Sequence, residues 1–302
     1  MQSVTSSDSN LKESLKVVLS KELKSAAKVL SFSQGLDKER FKEARKSLKR
    51  VRAILLLMRD SISKERFKEE EKNVRELSKV FREVRNACVI EDVLTKLLQD
   101  KSIDSDPKDL KEMKAVLIAH TQKTIHSTLN DSEKLRPALG NIQAAFERIP
   151  ALEVDDLITE SVLQGLRASY RDAFEFFQLC EESNSSSDWI SWRRSINFLA
   201  IQLDLFTDLR LANLKKWSEE AHLVSDVLGE HQDLLHMEED AKQIKDLFEN
   251  KKVLKLLLDL SSEKRKELRK TARKESARLF VKSPKDFIKT LIAGSPVLDK
   301  SA

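Results

Sequence analysis

The sequence predicts an all-α protein folded as two antiparallel helical bundles of roughly four helices each. Three observations carry this. The 302 residues contain only 5 glycines and 5 prolines, too little punctuation for a chain of many turns. Charged residues (35%) and hydrophobic residues (40%) recur at helical spacing, so the helices are long and amphipathic. Pro150 falls near the middle and leaves enough chain on each side for one bundle.

The elements follow in order. Residues 1–9 read as a disordered, serine-rich tail. Helices are predicted near 10–32, 38–61, 64–99 (broken near Val89), 107–130, 132–148, 154–182, 188–211, 214–249 and 252–281, with a short one at 284–292. Ser33-Gln34-Gly35 supplies a turn, and Asp104-Ser105-Asp106-Pro107 starts a helix with proline in its first turn. Ser183 to Ser187 is a polar linker with Asp188 as the expected cap, and Pro284 ends the last long helix. Leu48, Val51, Ile54, Leu55 and Met58 are expected to fill the first bundle, and Phe176, Phe177, Ile196, Leu199 and Leu203 the second. Trp189, Trp192 and Trp217 sit at spacings that suit core packing.

Several function classes lose support. Cys88 and Cys180 are too few and too distant for a disulfide framework or a thiolate metal cluster, which fits a reducing interior. Met1 to Asn10 shows no apolar run after a basic start, so no secretory signal is expected. No stretch reaches the length of a membrane span, and an intracellular protein, cytoplasmic or nuclear, is the expectation. His120, His126, His222, His231 and His236 do not form an H-E-x-x-H site. No phosphate-binding glycine loop and no nucleophile elbow occur. A non-enzymatic chain without metal or cofactor is expected.

The informative feature is charge placement. The net charge is only +5, yet Lys38 to Asp60 holds nine basic against three acidic residues. Glu263 to Lys285 holds ten against three. Lys42, Arg45, Lys49 and Arg52 fall within about 80° of helical arc, with Arg59 beside them. Lys68, Lys72, Arg75, Lys79 and Arg82 repeat the spacing on the next helix. Arg167 with Arg171, Arg193 with Asn197, and Lys266, Arg269 and Arg273 mark further faces. Stacked like charges repel by about 0.2–0.5 kcal/mol per pair, and few glutamates interleave them, so an external anion is expected to complete the site. A single basic helix is usually a solvated face; several with matching spacing argue for more. Asp226, Glu230 and Asp233 form an acidic stripe suited to pairing with arginines across a groove.

At these residues the chain resembles the conserved histidine α-helical domain (CHAD) family. Residues 42–53, Lys-Glu-Ala-Arg-Lys-Ser-Leu-Lys-Arg-Val-Arg-Ala, are similar to its H-x-x-R-K-x-x-K-R-x-R-A pattern. Leu77 to Asn86 resembles a following L-S-x-x-R-x-x-R-D run that includes Arg82 and Arg85. Gly165 to Arg171 resembles a G-L-R-x-x-Y-R element, and Trp192-Arg193-Arg194 a W-R-K element. Leu228 to Leu234 resembles an L-G-x-x-x-D-L run, and Arg278 to Pro284 fits the C-terminal pattern. The likeness spans about residues 10 to 293. Lys42 and Ile190 stand where the family carries its two histidines, Asn86 where an aspartate is usual, and Asn197 where a lysine is common.

The resemblance implies two four-helix bundles, 10–150 and 151–302, related by a pseudo-twofold and together forming one CHAD domain around a basic central groove. It implies inorganic polyphosphate as partner, bound more strongly by the first repeat. With no E-x-E-x-K strand in the chain, a stand-alone binding module is expected. The expected polyphosphate-binding set is Lys42, Arg45, Lys46, Lys49, Arg52, Arg59, Arg75, Lys79, Arg82, Arg85, Arg167, Arg171, Arg193, Arg194, Arg269 and Arg273. An RNA- or DNA-binding protein using the same faces is the alternative, although the stripes hold no aromatics for base stacking. A phosphate-cleaving enzyme and a scaffold for an acidic protein are the remaining readings.

Overall fold

The computed structural model describes residues 6–30, 38–80, 82–99, 106–129, 159–183 and 185–294, with 137, 140–141, 143–145 and 147–149. Among the described residues there is no strand, and the chain is all-α. The helices are α1 (Ser6–Leu30), α2 (Lys38–Leu57), α3 (Lys64–Val80), α4 (Arg82–Leu98), α5 (Pro107–Leu129), α6 (Thr159–Glu182), α7 (Ser186–Asp208), α8 (Lys215–Gln243), α9 (Lys251–Leu279) and α10 (Pro284–Ala293). No helix is long and apolar enough to cross a membrane among these residues. The turn at Ser33-Gln34-Gly35, Pro150 and most of the helix expected at 132–148 lie outside the described residues, as do the side chains of Lys79, Arg82 and Cys88.

Four expectations need correction. Residues 6–9 of the expected tail are helical; a leucine ladder at Leu11, Leu15, Leu19 and Leu23, all buried, pins α1 along α2 and carries the polar first turn with it. Val89 lies inside α4 with no break. Asp188 is not the cap but belongs to the first turn of α7, where its carboxylate accepts from Ser183 Oγ at 2.5 Å. Phe176 is only half-buried, because it faces the cleft described below. Other boundaries behave as the local chemistry dictates. Asp106 accepts from the backbone N–H of Lys108 at 2.9 Å, just ahead of Pro107, and Ser283 caps α10 by accepting from Asp286 N.

The halves interlock. One core joins α1 and α2 with α6, α7, the start of α8, the end of α9 and α10. A second joins α4 and α5 with the end of α8 and the start of α9. The long helices α8 and α9 therefore run through both cores and tie the two repeats together. Trp189 and Trp192 are buried and Trp217 packs at the margin.

Close approach of α2 to α6 and α7 fixes the geometry of the site. A Cβ at Gly165 would lie 2.3 Å from the carbonyl oxygen of Leu57, so only glycine permits this crossing. Buried Gln202 of α7 donates to the Ala53 carbonyl of α2 at 2.9 Å. Near the C-terminus, Tyr170 stacks on Phe287 at 4.2 Å, and its hydroxyl donates to the Lys282 carbonyl at 2.9 Å. This accounts for the G-L-R-x-x-Y-R element: the glycine admits α2 and the tyrosine clamps α10.

Candidate functional site

The packing of α2, α4, α7 and α8 gathers cations from three helices around one carboxylate. Arg85 of α4 donates to Asp233 of α8, and to Asn86 at 3.1 Å. Arg193 of α7 lies 3.7 Å from the same carboxylate and donates to Gln232 at 2.5 Å. Lys49 of α2 is half-buried beside them. Burial, then the charges of Arg45, Arg193 and Arg85, lowers its pKa from 10.5 to about 7, with Asp233 opposing. Burial also lowers Arg193 to about 10, offset by Asp233, further lowered by Arg85 and offset by Asp226. Burial and neighbouring cations thus leave the Lys49 amine poised to lose its proton, with Asp233 shared between Arg85 and Arg193.

The L-G-x-x-x-D-L run builds this cluster. Leu228 and Leu234 face the core, and Asp233 meets the arginines as the acidic stripe anticipates. Gly229 lies under Arg193, where an added Cβ would meet Nη2 at 3.3 Å. One turn on, His236 is 3.2 Å from Gln232. Burial and then Arg85 lower its pKa, against Glu239 and Asp233.

A second group forms a cleft of about 570 Å³ between α2, α3, α6 and α7. Arg52, Arg75 and Arg194 line it together with Lys68 and Lys72, which the expected set lacks. The stripes are less repulsive here than expected, because Arg52 pairs with Glu71. Their lack of aromatics also proves misleading: Phe67, Phe176 and Phe198 line the cleft from the neighbouring faces, and Arg52 lies 5.0 Å over the Phe198 ring. Helical periodicity separates Phe67 from the basic stripe, and only the tertiary packing brings them to one cavity. Arg193 and Arg194, successive on α7, serve the two groups in turn.

The remaining expected residues lie apart. Arg59, Arg167 and Arg171 border a smaller cleft of about 270 Å³ with Asp60 and Gln164. Arg171 also lies 3.5 Å from Asp172 and 3.8 Å from Glu175. Lys42 is exposed and pairs with Glu39 at 3.0 Å, and Lys46 is exposed on the same helix.

Arg269 and Arg273 serve internal structure. Both lie over the Trp189 ring, at 5.1 and 5.2 Å. Arg273 donates twice to the Cys180 carbonyl in the last turn of α6, at 3.0 and 2.8 Å, where a helix presents unpaired carbonyls. Arg269 donates to His231 Nε2 at 3.0 Å. Burial and then Arg269, Arg265 and Arg193 hold His231 near 3, so that it stays neutral and accepts this bond. No group of three or more acid, histidine or cysteine side chains able to hold a metal occurs among the described residues.

The chain is thus an all-helical domain with two shared cores, in which cations of α2, α4 and α7 meet near Asp233. The CHAD domain family matches residues 18–241, and the chain belongs to that family. Among solved structures it is similar to PptA from Streptomyces chartreusis, with a TM-score of 0.64 at 12% identity, over 90% of this chain and 99% of that one. It is also similar to the CHAD domain from the plant Ricinus communis, with a TM-score of 0.56 at 15% identity, over 94% of this chain and 91% of that one. At these identities the likeness is one of fold. No curated protein sequence matches the chain.

Proposed function

We propose that the chain binds inorganic polyphosphate without cleaving it, through the cations that α2, α4 and α7 bring together around Asp233. The observation that supports this most directly is the depressed Lys49. Burial and then three neighbouring arginines lower its pKa to about 7, while the nearby carboxylate, Asp233, is already engaged by Arg85 and Arg193. A chain of closely spaced phosphates adds negative charge to that crowded set of cations. Arginine binds phosphate oxygens in pairs and lysine adds a point charge, so the mixture suits a flexible polyanion. Lys49 and Arg85 of the cluster come from the first half of the chain and Arg193 from the second, in keeping with a stronger grip by the first half. We further place the protein inside the cell, in keeping with a buried free thiol at Cys180.

Long-chain polyphosphate should compete successfully with tRNA or duplex DNA at equal phosphate concentration. Displacement by either nucleic acid at comparable concentration would overturn the choice of ligand. Incubation with magnesium or manganese should release no phosphate; release would make the chain an enzyme.

A further inference from the structure

The cleft between α2, α3, α6 and α7 has a composition that a purely inorganic anion does not need. Lys68, Lys72 and Arg75 form its exposed cationic rim on α3, and Arg194 faces them from α7. Below lies an apolar floor of Leu56, Phe67, Phe176 and Phe198. Ser169, Ser191 and Ser195 add hydroxyls along that floor; Ser195 donates to the Trp192 carbonyl at 2.9 Å, which leaves its oxygen able to accept. The two acids in the lining are Glu71, engaged by Arg52, and Asp172, 3.5 Å from Arg171.

A phosphate chain alone would desolvate against the phenylalanines with nothing gained. An acyl or prenyl phosphate would bury its tail on the floor but make no use of the hydroxyl oxygens, Ser195 among them, that can still accept. A flat heteroaromatic ring with polar edges uses both, stacking on phenylalanine and bonding to hydroxyls, while its phosphates reach the rim. The volume of about 570 Å³ lies within the range of pockets for single small ligands.

We propose that this cleft is a binding site for a nucleoside di- or triphosphate, with the base on the Phe67–Phe176 floor and the phosphates against Lys72, Arg75 and Arg194. This goes beyond the polyphosphate reading and does not depend on it, because the residues differ from the Arg45–Lys49–Arg85–Arg193 cluster.

The test is calorimetric titration of the full chain with adenosine triphosphate, inorganic tripolyphosphate and farnesyl diphosphate at low ionic strength. Adenosine triphosphate is expected to bind at least tenfold more tightly than either comparison ligand. Phe176→Ala should weaken it by about fivefold or more, the usual effect of losing a stacking partner, while leaving long-chain polyphosphate binding within twofold. Because Phe176 also touches the core, Lys72→Glu with Arg75→Glu provides a second arm on exposed positions and should abolish adenosine triphosphate binding. Tripolyphosphate or farnesyl diphosphate binding as tightly as adenosine triphosphate would overturn the proposal. So would an unchanged affinity in the double variant. Loss of long-chain polyphosphate binding in Arg45→Glu with Lys49→Glu bears on the other cluster alone, so the two readings fail separately.

Discussion

Polyphosphate binding should draw a proton onto Lys49. In the free chain this lysine is held at about 7 against an ordinary 10.5. A polyanion seated on the cluster favours the charged amine, and complete restoration would be worth at most ~5 kcal/mol at about 1.4 kcal/mol per pKa unit. Binding therefore weakens as pH rises through the free value. If the bound amine keeps its proton to above pH ~9, affinity should fall roughly tenfold between about pH 7 and 8.5. The assay is fluorescence anisotropy of end-labelled long-chain polyphosphate at constant ionic strength, since counterion release would otherwise mask the effect. Lys49→Arg, which keeps its charge throughout, should bind as tightly at the higher pH as at the lower. A wild-type affinity that does not change across this interval would refute the reasoning. The stability of the free chain moves the other way. The unfolded lysine keeps its proton up to about 10.5 and the folded one loses it at about 7, so stability should rise with pH across that window.

Three further outcomes follow from the packing. Glu70→Gln removes a fully buried carboxylate that binds Arg148 in two bonds, of 2.5 and 2.9 Å; with Arg148 partly exposed it should cost about 1–3 kcal/mol in urea unfolding and leave polyphosphate affinity within twofold in the folded protein. Gly165→Ala forces Cβ against the Leu57 carbonyl and should lower the melting temperature by well over ~5 °C or prevent folding. Gly229→Ala meets only the flexible end of Arg193, so it should leave the melting temperature nearly unchanged while weakening polyphosphate binding by a fewfold.

The helices were legible because glycine and proline are scarce and the apolar periods are long. Their ends were not, where tertiary packing extends a helix through residues that read as linker or tail, as at Ser6–Ser9. The basic stripe on α2 was equally plain in the sequence. Its division was not: Lys49, with Arg45 beside it, feels the charges of Arg85 and Arg193, while Arg52, one turn on, lies over Phe198 beside Glu71. Periodicity gives the face of one helix and not its partner. The same limit hid the duty of Arg273, whose spacing matches a binding stripe but whose guanidinium caps α6. It also hid the cleft floor, since Phe176 reads as core until the neighbouring helix fails to cover it.

The measurement that bears most directly on the account is calorimetric titration of long-chain polyphosphate into three proteins at about 0.05 and 0.2 M salt. These are the wild type, Arg45→Glu with Lys49→Glu, and Lys251→Glu with Lys252→Glu at the exposed start of α9. The comparison is made once circular dichroism shows wild-type helical content in both variants. The first variant should lose about hundredfold or more in affinity at the lower salt and show a shallower salt dependence, while the second variant stays within twofold of wild type. Equal losses in the two variants would mean that polyphosphate binds the general positive surface and not the convergent cluster.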